Sequence, residues 1–584
     1  MSRGLIAERA RLSLFVVRRG LRALRGRVAG HRLLRWRFAA TVTDRLLIAP
    51  QDLRTADPTR ASEIYAGRFT FAGKVVVCDG RSPFSVLPPT AEWAEELESF
   101  GWLRHLRAAE SSLTRSNARA LVEDWIASRP QTHTIGWRPE VVGHRLVAWL
   151  MHAPFILNEA DARFYKRFLR SLGRQVHFLL RMTPALRPGL PRLQATIALN
   201  YAALCMSARP RLARVAGRRL NEELQQQILP DGGHVSRNPG VLLDLLLELL
   251  PLRQAYGARD LPPPAALINA IDRMMPMLRF FRHGDGAFAH FNGMGPTSPD
   301  LLATVLAYDD ARGRPVENAS HSGYQRLEAS GVVLLMDSGR PPPLALSQEA
   351  HAGCLAFEFS ARRHRVVVGT GLPSTGRDAW RHLARRTQAH STVTVADTSS
   401  CRFLEAPRLQ RLIGTVVMAG PTQVRVEREQ EHDLLRLRAS HDGYAARFGI
   451  LHERSVALAS DGSRIDGEDV LRPARGDYFS RRGEDEFAVR FHLHPAVQAS
   501  RLTHRNGAML MLPNREVWIF EAHDHKAELE ESVYLAGPHG PRATVQLVIH
   551  GHARDTARVQ WSFVRADPNE TGANRPPEEP ELPL

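Results

Sequence analysis

The chain has 584 residues, enough for two or more domains with full cores, and its 43% hydrophobic and 24% charged residues are ordinary for a globular protein. The formal net charge of +17 is almost wholly arginine, since the lysines are Lys74, Lys166 and Lys526; such a surface attracts polyanions, and guanidinium pairs with carboxylate or sulfate two oxygens at a time. Cys78, Cys205, Cys354 and Cys401 are scattered without a C-x-x-C pair, which argues against a thiolate zinc site or a disulfide framework.

Residues 1–40 form a basic N-terminal segment, with eleven arginines and the single acid Glu8 in the first 38 positions. Its apolar run, residues 12–17 (LSLFVV), is too short for a secretory core, and no run in the chain reaches transmembrane length. The segment reads as a basic amphipathic helix, either solvated or lying on an anionic membrane surface. Within residues 41–90, YAGRFTFAGKVVVCDG reads as an isolated β segment.

From about residue 91 to 310 apolar residues recur at helical spacing, as in ARALVEDWIAS, EVVGHRLVAWLMHA and GVLLDLLLELLPLRQAYG, with Pro and Gly between the runs. Successive amphipathic helices of similar length predict a helical α/α toroid, an incomplete helical barrel, over residues 41–315. Inside it, Asn238-Pro239 opens the run GVLLDLLLELL, and Asn at the cap with Pro in the first turn is a helix start. After Gly323 the period becomes two (GVVLLMDSG, HRVVVGTG, STVTVAD, QVRVERE, TVQLVIHG), which predicts an antiparallel β-sandwich over residues 316–565. The fold class is therefore α + β multidomain. Residues 566–584, rich in Pro and Glu, predict a disordered tail.

Two stretches of the second half place a histidine beside an alternating run: SQEAHAGCLAFEFS at 347–360, with His351, and AHSTV at 389–393, with His390. Together with ILPDGGHVSRNPGVL at 228–242 and Gly323-Tyr324-Gln325-Arg326, they resemble the heparinase II/III family of polysaccharide lyases. The likeness covers about residues 228–551. It implies a toroid-plus-sandwich fold, an acidic, uronate-containing glycan such as a glycosaminoglycan or alginate as substrate, a periplasmic location, and a zinc ion near the two histidines. A uronate lyase must neutralise the substrate carboxylate, remove the adjacent carbon-bound proton with a base and protonate the departing oxygen.

On that resemblance His234, Tyr324, His351 and His390 are the catalytic candidates, expected to converge on one groove. Asn200, Arg237, Asn238, Glu349 and Arg386 are the substrate contacts. His351 and His390 are the zinc ligands, with Glu349 or Glu358 completing a weak Zn2+ site.

Several positions depart from the family pattern. The catalytic tyrosine position holds Val241, the first histidine of H-x-H-x-D is Glu349, its aspartate is Gly353, and a second acidic ligand position is Gly369. Three readings follow: a lyase acting by β-elimination; a non-catalytic groove for an anionic polysaccharide in exopolysaccharide synthesis or export; and nucleic-acid binding through the basic N-terminus. The last is disfavoured, because no zinc-finger, RRM or helix-turn-helix signature accompanies the charge. The N-terminal helix leaves the cytoplasm, or the periphery of the inner membrane, as the alternative compartment.

Overall fold

The computed structural model describes residues 2–29, 45–128, 134–207, 210–308, 315–474, 485–502 and 506–566. Residues 30–40 of the basic segment and 567–584 of the expected tail lie outside the described residues.

Local sequence accounts for the helices of the first half. Asp161 caps Ala162–Met182 by accepting from the Phe164 N–H at 2.6 Å, and Phe164, Phe168, Leu172, Val176 and Leu179 then fall on the face turned inward. The helix Gly240–Gly257 is apolar over most of its girth and is correspondingly buried, with Asp244 and Gln254 its exposed side chains between Val241 and Tyr256. Leu190–Cys205 packs against it and against Pro139–Met151 and Pro210–Gln227, so successive helices lie side by side as a toroid requires. The isolated β segment is a hairpin, Arg68–Phe71 paired with Lys74–Val77.

The second half folds as two antiparallel sheets. One holds eight strands and runs from Val424–Glu431 at one edge to Gln498–Arg501 at the other; the second runs from Ala527–Tyr534 to Asn318–Ala319. They meet through aromatic side chains: Phe357 stacks on Trp561 at 5.4 Å between centroids, and Phe359 meets Phe563 edge-on at 5.1 Å. The fold is the helical toroid followed by a β-sandwich that the change of period predicts.

The strand Phe357–Ala361 shows how the halves join. Phe357, Phe359 and Ala361 enter the sandwich core, while Glu358 and Ser360 point oppositely, to His283 beyond the last long toroid helix. Arg326 of the neighbouring strand Tyr324–Ala329 donates to the carbonyls of Phe280 and Arg282 at 2.8 and 2.9 Å. Both faces of this sheet are thus covered, which explains why every residue of Val332–Asp337 is buried and the first five are apolar.

Candidate functional site

The segment following Pro210–Gln227 builds one wall of the groove between the halves. Leu229 N–H bonds to the Gly233 carbonyl at 2.8 Å, closing a tight turn through Pro230, Asp231 and Gly232. Gly232 has φ +89°, and a Cβ there would lie 1.9 Å from the Arg273 carbonyl oxygen, so only glycine fits. Asp231 accepts from the Ser322 backbone N–H at 2.6 Å and from its hydroxyl at 3.0 Å, tying the turn to the start of the sandwich. His234 then sits with Nε2 3.0 Å from Gln227 Oε1 while Nδ1 accepts from the Ser236 N–H at 3.1 Å. It is 2% exposed, and burial lowers its pKa to about 3.

Arg237 turns away from this wall. Its guanidinium donates to the carbonyls of Ser322, Gly323 and Arg340 and forms a buried ion pair with Asp337. The Tyr324 hydroxyl donates to the Arg237 carbonyl at 2.5 Å and accepts from Asn292 Nδ2 at 2.7 Å. Asn292 also donates to Asp337 Oδ2 at 3.0 Å and accepts from the His351 backbone N–H at 3.1 Å. His351 Nδ1 lies 3.2 Å from His390 Nε2. Tyr324, His351 and His390 therefore join one hydrogen-bonded cluster, whereas His234 lies on the separate wall.

The cluster is packed shut. Tyr324 is 0%, His390 2% and His351 5% exposed. Burial lowers both imidazole pKa values, with the neighbouring ring adding to the effect at His351, and raises that of the tyrosine. Two buried arginines hold the histidine loops. Arg385 donates to the carbonyls of Ala350, Ser347 and Thr415. Arg454, paired two-fold with Asp469, donates to the carbonyls of Leu355 and Ser391 at 2.9 and 2.7 Å.

The structure places the other candidates as follows. The Asn200 amide donates to the carbonyls of Thr196 and Ala216 and its oxygen accepts from the Tyr256 hydroxyl, inside the helix core. Arg237 and Tyr324 are committed to the fold by the bonds just given. Asn238 accepts from the Gly240 N–H at 2.8 Å, the helix-start role. Arg386 is exposed beside His382, and the inward-facing arginine is its neighbour Arg385. Glu349 is paired with Arg381 at 3.4 Å, at the mouth of a cavity of about 700 Å³ that His234 and Asn238 also line.

The residues do not fit zinc. Structural zinc takes four N, O or S donors. Glu358 accepts from the His290 and Gly369 N–H groups at 2.9 Å and lies 3.2 Å from His283 Nε2, so its oxygens are occupied. Gly353 and Gly369 do face the His390 ring, since a Cβ would lie within 3.2 and 3.7 Å of it, but neither brings a carboxylate. Among the described residues the three-donor group is Glu528, Glu530 and His550, on the sandwich and away from both histidines.

Sequence reading missed Asp337, Asn292, His283, His290 and Arg454. Asn292 alone had a local signal, the segment Phe291-Asn292-Gly293, where Gly293 is at φ +87°. The others are ordinary strand or turn residues until the halves dock.

Residues 311–562 match the model for the C-terminal domain of heparinase II/III-like proteins. Heparinase III superposes with a TM-score of 0.68 at 14% identity, covering 92% of this chain and 89% of that one. A mutant of the heparan sulfate lyase HepC from Pedobacter heparinus gives 0.60 at 16%, covering 94% and 88%. The chain belongs to the heparinase II/III-like family. Within it, the chain is 31% identical over 564 residues to FtsZ-localized protein C of Caulobacter vibrioides, which spans 94% of this chain and 96% of that protein.

Proposed function

We propose that this chain is a catalytically silent heparinase-like protein that localises with FtsZ at the site of cell division. The end-to-end similarity to FtsZ-localized protein C carries this reading. The site supports it. Val241 stands where the family resemblance puts a tyrosine, Asn200 is consumed by the helix core, and the Tyr324, His351 and His390 side chains lie under cover. A general acid must reach the leaving oxygen directly or through one water, and no group of this cluster faces solvent to do so.

The N-terminal helix supports a position at the membrane surface, and hence the inner-membrane alternative rather than the periplasm. Leu12, Phe15 and Val16 pack against Leu404, Ile413 and Val416 of the sandwich half, so the helix Ser2–Ala29 is built into the fold. Leu14, Val17, Leu21 and Leu24, each 51–58% exposed, form the opposite stripe. At 3.6 residues per turn they share an arc of about 80°, with Arg11 and Arg18 along one flank. No helix among the described residues is long and apolar enough to cross a membrane.

A fluorescent fusion in dividing cells, together with co-sedimentation of the purified chain with FtsZ polymers, tests the reading. Mid-cell bands that vanish on FtsZ depletion are expected. Diffuse fluorescence with no co-sedimentation would return the chain to the alternative of a non-catalytic groove for an anionic polysaccharide.

A further inference from the structure

The cavity of about 700 Å³ lies where the N-terminal helix crosses the groove between toroid and sandwich. Its lining is unequal in charge. Arg19 and Arg22 come from the helix and Arg187 from the loop before Leu190–Cys205, against Glu140 in the first turn of Pro139–Met151 and Glu349 from the sandwich. Glu349 already has Arg381 as its partner. Arg187 donates to Gln348 Oε1 at 2.6 Å, a neutral acceptor, and the carboxylate whose charge acts on it is that of Glu140. Among the described residues neither Arg19 nor Arg22 makes a hydrogen bond or ion pair; burial, then the charges of Arg187 and Arg22, oppose protonation of Arg19, with Glu140 acting the other way. Three guanidiniums against one free carboxylate leave an excess of two positive charges around a walled space. Apolar Leu186, Leu346 and Val241 complete its lining.

We propose that this chamber binds a phosphate monoester, whose two negative charges match the excess and whose three terminal oxygens suit several guanidinium forks at once. A singly charged carboxylate or sulfate ester would leave one guanidinium unmatched. The volume accommodates the phosphate with a hexose-sized or glycerol-sized remainder. The site does not depend on the link to FtsZ, and two residues of the N-terminal helix form part of its wall.

The phosphate has two sources, a soluble sugar phosphate or the headgroup of a phosphomonoester lipid, and two arms separate them. In the first, calorimetry titrates glucose 1-phosphate into the full chain, with glucose as control. In the second, the full chain is sedimented with phosphatidylcholine vesicles with and without phosphatidic acid. Saturable binding of glucose 1-phosphate but not glucose, weakened at least about tenfold in the double variant Arg19→Gln/Arg22→Gln, assigns a soluble ligand. Vesicle binding that requires phosphatidic acid and is weakened about tenfold by Arg187→Gln assigns the lipid, because Arg187 lies in the chamber and not on the outer helix stripe. Unchanged circular dichroism shows that the variants are folded. Absence of binding in both arms, or a smaller loss in the variants, overturns the proposal.

Discussion

His351 Nδ1 and His390 Nε2 face each other at 3.2 Å, one imidazole donating to the other, and burial lowers both pKa values and so favours the neutral rings. Around them stand Gly353 and Gly369, where a metal centre would need acids. The geometry is that of two donors without the rest of a coordination sphere, and it is stabilised by hydrogen bonding.

Zinc content follows from that relationship. Protein dialysed against a mild chelator is expected to hold well under one zinc per chain, with an unchanged melting temperature. Elemental analysis and calorimetry check this; stoichiometric zinc resistant to the chelator would show that Glu358 or Glu349 moves to complete the site.

The lyase reading makes a separate forecast. Incubation with heparan sulfate, chondroitin sulfate or alginate is expected to yield no ultraviolet absorbance from an unsaturated uronate. Val241→Tyr is expected to leave this unchanged, because a tyrosine alone does not free the Asn200 amide from Thr196 and Ala216. Product from the wild type that disappears in His390→Ala would restore a catalytic site.

The Arg237–Asp337 pair is a structural keystone. Both partners are buried, and Asp337 also receives Asn292. Asp337→Ala strands a guanidinium in the interior and is expected to cost about 3–5 kcal/mol, read as a lower urea midpoint. Loss of less than about 1 kcal/mol would mean that water reaches the arginine.

Stability should fall in mild acid. Burial lowers the pKa of His234, His290 and His390 to about 3 and that of His492 to about 4, and it acts in the same direction on His283, His351 and His441. A histidine with a lowered native pKa leaves the unfolded chain to take up protons first. Its contribution is present above about pH 6.5 and is lost as pH drops toward the native value. Each contributes a slope of up to about 1.4 kcal/mol per pH unit within that window. His390→Gln should flatten the pH dependence of the unfolding free energy, read from urea titrations, by up to about that amount; an unchanged slope would place the proton uptake elsewhere.

The outer stripe of the N-terminal helix is testable without touching the packed face. Val17→Glu/Leu21→Glu should abolish binding to anionic vesicles, since two charges replace apolar contact, and should leave the melting temperature within about 2 °C. Retained binding would shift the contact to the arginines alone.

Local sequence was sufficient for the period of every major run, the helix start at Asn238-Pro239, the Gly-containing break at Gly232 and the loss of acidic ligands at Gly353 and Gly369. Each of these is written within a few residues, because helix and strand periods and positive-φ turns are short-range properties. Only the tertiary structure decided the fate of the candidate side chains. Asn200 and Tyr324 read equally well as cleft or core residues, since a single helix or strand does not say which partner covers each face. Arg237 and Asp337 are 100 positions apart, and what joins them is the docking of toroid on sandwich. That docking removes the cluster from water, and desolvation turns residues of catalytic type into neutral, hydrogen-bonded parts of the core.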